Sequence, residues 1–165
     1  MTFAIESATA MPGFTFVERT ETRSEGTMHT LESIATSFHH ACMTGEGWQA
    51  CQPYCAPDAT FVHEGTMFAD AGTLEAYVAF IQSAITPVPD FQHEVLSVGI
   101  DERQQRVLIH YLIRGTHTGE GLPVPPTGKS LQSHCVLILY FENELISHAT
   151  KVWNDHEMMK QLGWV

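Results

Sequence analysis

Three side chains in this sequence have the type and the setting to move protons: His63, Lys151 and His117. His63 lies in the run "DATFVHEG", and an imidazole with an ordinary pKa of ~6.5 can take or give a proton near neutrality with little tuning. Glu64 beside it would point to the opposite face of a regular strand. The structural alternative is a strand-end histidine holding a hydrogen bond. Lys151 interrupts the apolar run "ELISHATKVW", where a charge is out of place. A buried lysine loses affinity for its proton, so it can act as a base or form a Schiff base with a carbonyl. Kept charged, it would stabilise an enolate. Its structural alternatives are an ion pair with Asp155 or Glu64, or an amine reaching water from a strand end. His117 stands in "RGTHTG", where Gly115 and Gly119 permit tight turns and close approach. A polar ligand contact and a loop-fixing role are both open to it.

The other histidines and the cysteines read as structure. His39 and His40 are successive on a predicted helix and diverge by ~100°, so they cannot share a face. His29, His93 and His156 read as surface residues, and His110, His134 and His148 fall on predicted strands. No HxH or HExxH spacing occurs, so no metal site is expected. Cys51 and Cys55 are spaced C-x3-C, not C-x2-C. With Cys42 and Cys135 they read as reduced, buried thiols of a cytoplasmic protein. The "TGKS" at 127–130 has Pro123 where a phosphate-binding loop needs its first glycine, and it leads into a strand.

These residues need elements to position them. Residues 1–27 are polar and aperiodic and read as an N-terminal arm, with a single domain over 28–165. Leu31, Ile34, Ala35, Phe38, Ala41 and Cys42 recur at helical spacing and predict a helix over Met28–Met43. A short helix interrupted by Pro53, a strand at "DATFVHEG" bounded by Gly65 and a second helix over Leu74–Ile85 follow. From Phe91 the apolar period becomes two, giving four strand-like runs, "QHEVLSVGI", "RVLIHYLIRGTHTG", "SLQSHCVLILYFE" and "ELISHATKVW". A last helix spans Asp155–Leu162. Helices first and antiparallel strands afterwards predict an α+β fold. In the second run Val107, Ile109, Tyr111 and Ile113 alternate with Leu108, His110, Leu112 and Arg114, so both sheet faces are largely apolar. Helices can cover only one face, which predicts a homodimer across the other, lined by His110, His134 and His148.

Charge excludes some partners. The 165 residues carry 19 acids against 8 basic residues, a net charge of −11, and no Lys or Arg occurs between Arg23 and Arg103. Neither nucleic acid nor an anionic membrane surface suits such a chain. No stretch reaches the ~18 apolar residues of a membrane helix, and no signal peptide is expected.

Several motifs carry a resemblance. "RGTHTG" at 114–119, "PPTGKS" at 125–130 and "KQLG" at 160–163 resemble signatures of SnoaL-like polyketide cyclases. "TGEGW" at 44–48 followed by "PDATF" at 57–61 is similar to the wider nuclear-transport-factor-2-like superfamily, which includes ketosteroid isomerase. The resemblance spans about residues 28–163. It implies a cone-shaped α+β barrel, a sheet wrapped around helices and an internal pocket, usually as a dimer. It also implies acid–base work on a small hydrophobic carbonyl compound, by aldol-type cyclisation or isomerisation, with no metal or organic cofactor. A titratable group in a dry pocket is the physical requirement.

Position by position, the resemblance implies that the cyclases' acid–base Asp falls on Lys151, their pocket His on Leu137 and a pocket Gln on Cys135. The isomerase base falls on His63, its oxyanion-hole acid also on Leu137, and its tyrosine donor on Phe38. The usual cyclase pair is therefore replaced. The enzyme expectation is His63 as base, with Lys151 and His117 as electrostatic stabilisers. Phe38, Trp48, Met67, Cys135, Leu137 and Trp153 would contact the ligand, with Phe68 and Phe80 as further aromatic candidates. That arrangement requires a cavity of at least ~300 Å³ with both His63 and Lys151 projecting into it. A non-catalytic binding or scaffold protein on the same fold is the other reading.

Overall fold

The computed structural model describes residues 25–67 and 71–165, with side chains described from residue 31 onward. Most of the predicted N-terminal arm, residues 1–24, lies outside the described residues, as does Phe68.

Leu31, Ala35, Phe38, Ala41 and Cys42 share one face of α1 (Glu25–Met43), and all five are buried. The helix starts three residues before the predicted Met28. It stops because Gly45 and Gly47 adopt φ of 76° and 83°, a region that glycine enters without strain. A one-turn helix α2 (Trp48–Cys51) and a 3-10 turn (Gln52–Tyr54) lead into β1 (Cys55–His63). Helix α3 (Leu74–Ile85) has the predicted bounds. The Thr73 hydroxyl accepts the Ala76 N–H at 3.2 Å and caps it. Its buried face is Leu74, Tyr77, Val78 and Ile81.

Four antiparallel strands follow: β2 (Gln92–Asp101), β3 (Arg106–Thr116), β4 (Ser130–Glu142) and β5 (Leu145–Trp153). Asn143 and Glu144 turn the β4–β5 hairpin with φ of 50° and 63°. The sheet order is β1-β5-β4-β3-β2, with β1 parallel to β5. The sheet is not closed, since β1 and β2 are its edges, and the fold is α+β. Helix α4 (Asp155–Leu162) ends the chain. Asn154 caps it by accepting the Glu157 N–H, and Gly163 ends it at φ 71°.

Strand alternation separates two faces. Inward point Val107, Ile109, Tyr111 and Ile113 of β3, Leu131, Cys135, Leu137 and Leu139 of β4, and Ala149 and Lys151 of β5, all buried. They join the helix residues in one core. Burying each large apolar side chain stabilises the fold by ~1.5–3 kcal/mol before entropy is counted. Outward point Leu108, Val136, Ile138 and Val152, and Leu108 and Val152 are 38% and 44% exposed. Leu112, on the same face, is buried at 5% exposure. His110 Nε2 lies 3.0 Å from His134 Nδ1 on that face, and His148 Nδ1 lies 2.7 Å from Thr60 Oγ1. Among the described residues no helix is long and apolar enough to cross a membrane. The four cysteines are free and buried.

Candidate active site

Lys151 sits on the inward face of β5, with Leu137 of β4 and His63 of β1 as its register partners. Its side chain is 1% exposed, so the lysine does not reach water. Aromatic rings surround the amine. Nζ lies 4.3 Å from the ring centre of Trp153, 5.4 Å from Tyr77 and 5.9 Å from Tyr111. Burial pulls the Lys151 amine below its ordinary value, with the Cys135 and Cys42 thiols opposing. Burial likewise raises Tyr77 and Tyr111 above the usual phenol range, so both rings stay neutral.

Lys151 is one of the residues lining an apolar cavity of about 50 Å³. One wall is α3, with Phe80, Ile81, Ala84 and Ile85; another is the sheet, with Ile113, Leu131 and Trp153. Helix α4 and the C-terminus supply Met158, Leu162 and Trp164, and Met43, Met67, Val88 and Phe91 complete the lining. Lys151 is the sole ionisable residue among the described lining residues. Met67 is held in place from α4. Asp155 accepts the N–H groups of Thr66 and Met67 and the Thr66 hydroxyl. Burial disfavours the Asp155 carboxylate, but these donors outweigh it and hold the group below its ordinary value. A Cβ on Gly65 would come within 2.7 Å of the Asp155 carboxylate, so a larger residue there would push that carboxylate aside.

The expected site residues separate. Lys151, Met67, Trp153 and Phe80 meet at the cavity. His63 does not line it. As the last residue of β1, it turns Nδ1 back to accept the Gly65 N–H at 3.2 Å and stacks on Phe61 at 5.8 Å. Phe38, Cys135 and Leu137 are buried core residues outside the lining. Tyr111, the register partner of Cys135, and Tyr77 of α3 occupy that part of the interior. Trp48 packs half-buried against the core, also away from the cavity. His117 is wholly buried in a loop-fixing role. Its Nδ1 accepts the Thr127 N–H at 3.3 Å and the Trp164 Nε1–H at 3.0 Å, which leaves the ring proton on Nε2. It thus holds Trp164, a cavity wall residue, against the β3–β4 loop. At about 50 Å³ the cavity is also smaller than the ~300 Å³ that the expected enzyme arrangement requires. Tyr77 and Tyr111 were not among the expected site residues, although their inward alternation and helical spacing are plain in the sequence.

A second buried histidine lies beside this cluster. His39 is 1% exposed and meets Tyr111 at 4.5 Å and His93 at 5.3 Å between ring centres. Burial, with His93, Lys151 and His40 adding to it, lowers His39 to about 3. Among the described residues no three His, Cys, Asp or Glu side chains converge in a way that could hold a metal ion.

Residues 33–162 match the SnoaL-like polyketide cyclase family, and the chain belongs to it. Solved structures share the fold. AclR of Streptomyces galilaeus, provisionally described as a hydroxylase, is 23% identical with a TM-score of 0.66, over 84% of this chain and 83% of its own. IdmH of Streptomyces antibioticus, provisionally described as a polyketide cyclase, is 22% identical with a TM-score of 0.66, over 82% of this chain and 99% of its own. TsrD of Streptomyces laurentii is 16% identical with a TM-score of 0.64, over 82% and 96%. No curated protein matches.

Proposed function

We propose that the protein is a SnoaL-family enzyme performing cofactor-independent acid–base chemistry, aldol-type cyclisation or isomerisation, on a small hydrophobic carbonyl compound. The acting group is Lys151, and the base role moves to it from His63. The observation that carries this reading is a 1%-exposed lysine in the wall of an otherwise apolar cavity. Such a site removes water, brings the amine toward neutrality and holds the carbonyl by shape. The test is deuterium exchange next to the carbonyl, followed by NMR in D₂O over a panel of small aldehydes and ketones. Wild type should accelerate exchange and Lys151→Met should lose at least a hundredfold. Equal exchange by both proteins overturns the assignment.

A binding protein is the second reading, favoured by the filled interior around Phe38, Tyr77, Tyr111 and Leu137. Saturable binding of a carbonyl compound with no exchange would establish it. The reading also takes the protein as a homodimer through the outward sheet face and as cytoplasmic, in keeping with its four free thiols.

A further inference from the structure

We propose that Lys151 is a covalent amine, forming an imine with a small unbranched aldehyde bound in the apolar cavity. This rests on the reading above and names both the bond and the ligand class. Three observations converge on it. The nucleophile is a primary amine at the cavity wall, with no other ionisable group among the described lining residues. The space fits a short chain. About 50 Å³ approaches the liquid volume of two waters at ~30 Å³ each. Met43, Met67 and Met158 in the wall are adaptable side chains, and a four-carbon aldehyde requires them to yield. Finally, the rings of Trp153, Tyr77 and Tyr111 face Nζ at 4.3, 5.4 and 5.9 Å. A cation formed there gains from all three π faces.

The step balances without an oxidant or reductant. The nitrogen lone pair attacks the carbonyl carbon, the C=O π pair moves to oxygen, and a proton passes from nitrogen to oxygen to give a carbinolamine. That hydroxyl leaves as water after taking one further proton, which bulk water supplies because the described lining residues hold no other acid, and the C=N⁺ bond forms. The product is a protonated imine on Lys151 plus one water, and its α C–H bonds are more acidic than the aldehyde's. The depressed affinity of the amine for a proton supplies the neutral nucleophile.

The probe is butanal with sodium cyanoborohydride, which reduces an imine irreversibly to a secondary amine. The chain contains just two other lysines, Lys129 and Lys160, both exposed, and they serve as internal controls. Peptide mapping should find a butyl group on Lys151 at least tenfold faster than on either control, and saturably in butanal. An unmodified Lys151, or one labelled no faster than the controls, overturns the proposal. Deuterium exchange of the same butanal separates this failure from failure of the function. Exchange that wild type retains and Lys151→Met loses, without adduct on wild type, removes the imine and leaves the acid–base reading standing. Absence of both adduct and exchange removes both.

Discussion

The amine of Lys151 lies 4.3 Å from the centre of the Trp153 ring, two residues further along the same strand face. Strand alternation makes this contact local in sequence, while the surrounding core makes it dry. A cation–π contact out of water is worth about 1–2 kcal/mol, and one pKa unit corresponds to ~1.4 kcal/mol. The ring therefore opposes the loss of proton affinity that burial imposes. Trp153→Leu should move the pH midpoint of Lys151 modification down by about one unit. Labelling of Lys151 as a function of pH measures this, and an upward shift would contradict the cage.

Lys151→Met should keep the fold and change its response to base. The folded-state amine lies below its ordinary value, so between that folded value and ~10.4 the unfolded chain binds more protons. Wild-type stability therefore rises with pH through that window. The methionine variant should lack this rise and match or exceed wild-type Tm at pH 7. Thermal unfolding at pH 7 and pH 10 distinguishes the two slopes.

His39 should make the protein acid-labile. Its folded-state value of about 3 lies below the ordinary 6.5, so the unfolded state binds the extra proton as pH falls through 6.5. Stability is complete above 6.5 and declines toward 3, by several kcal/mol at ~1.4 kcal/mol per unit. His93, His40, Lys151 and Tyr111 surround the ring. His39→Phe should flatten this decline between pH 6.5 and 4 in urea unfolding. An unchanged slope would assign acid lability elsewhere.

Asp155 joins α4 to the segment that carries Met67. Asp155→Ala removes one acceptor from three donors, at a cost of about 2–3 kcal/mol. Tm should drop, and amide exchange at Thr66 and Met67 should quicken more than in α3. A Tm within one degree (roughly 0.3 kcal/mol) of wild type would show that water replaces the carboxylate fully.

Leu108 is exposed on the outward face, where the proposed partner copy would sit. Leu108→Glu buries an unpaired charge in a dimer but costs the monomer within about 0.5 kcal/mol. Sedimentation should show a dimer for wild type and a monomer for the variant. A monomeric wild type would remove the dimer.

Much of the fold was legible because hydrophobic period is a local property of the chain. The bounds of α3, β4 and α4 agree with the predicted Leu74–Ile85, Ser130–Glu142 and Asp155–Leu162. The start of α1 at Glu25 was missed because its first turn carries no apolar period. Lys151 was legible as a charge in an apolar strand, and as the residue at the family's acid–base position. His63 carried an equally clear signal, yet its position as the last residue of β1 sends its ring toward Gly65.

The sequence by itself determined most of the elements and marked Lys151 as a charge out of place in an apolar strand, leaving open whether it is buried or reaches water. It also determined the family, through motifs spread over 33–162. Tertiary structure alone decided what the amine meets. The cavity walls come from α3, three strands, α4 and the C-terminus, segments up to about a hundred residues apart. Such neighbours are chosen by packing of the whole core, in which Tyr77 and Tyr111 fill the interior and leave room beside Trp153. No local spacing records that choice, so the size of the cavity and the membership of its wall emerge only when the sheet and helices close on each other.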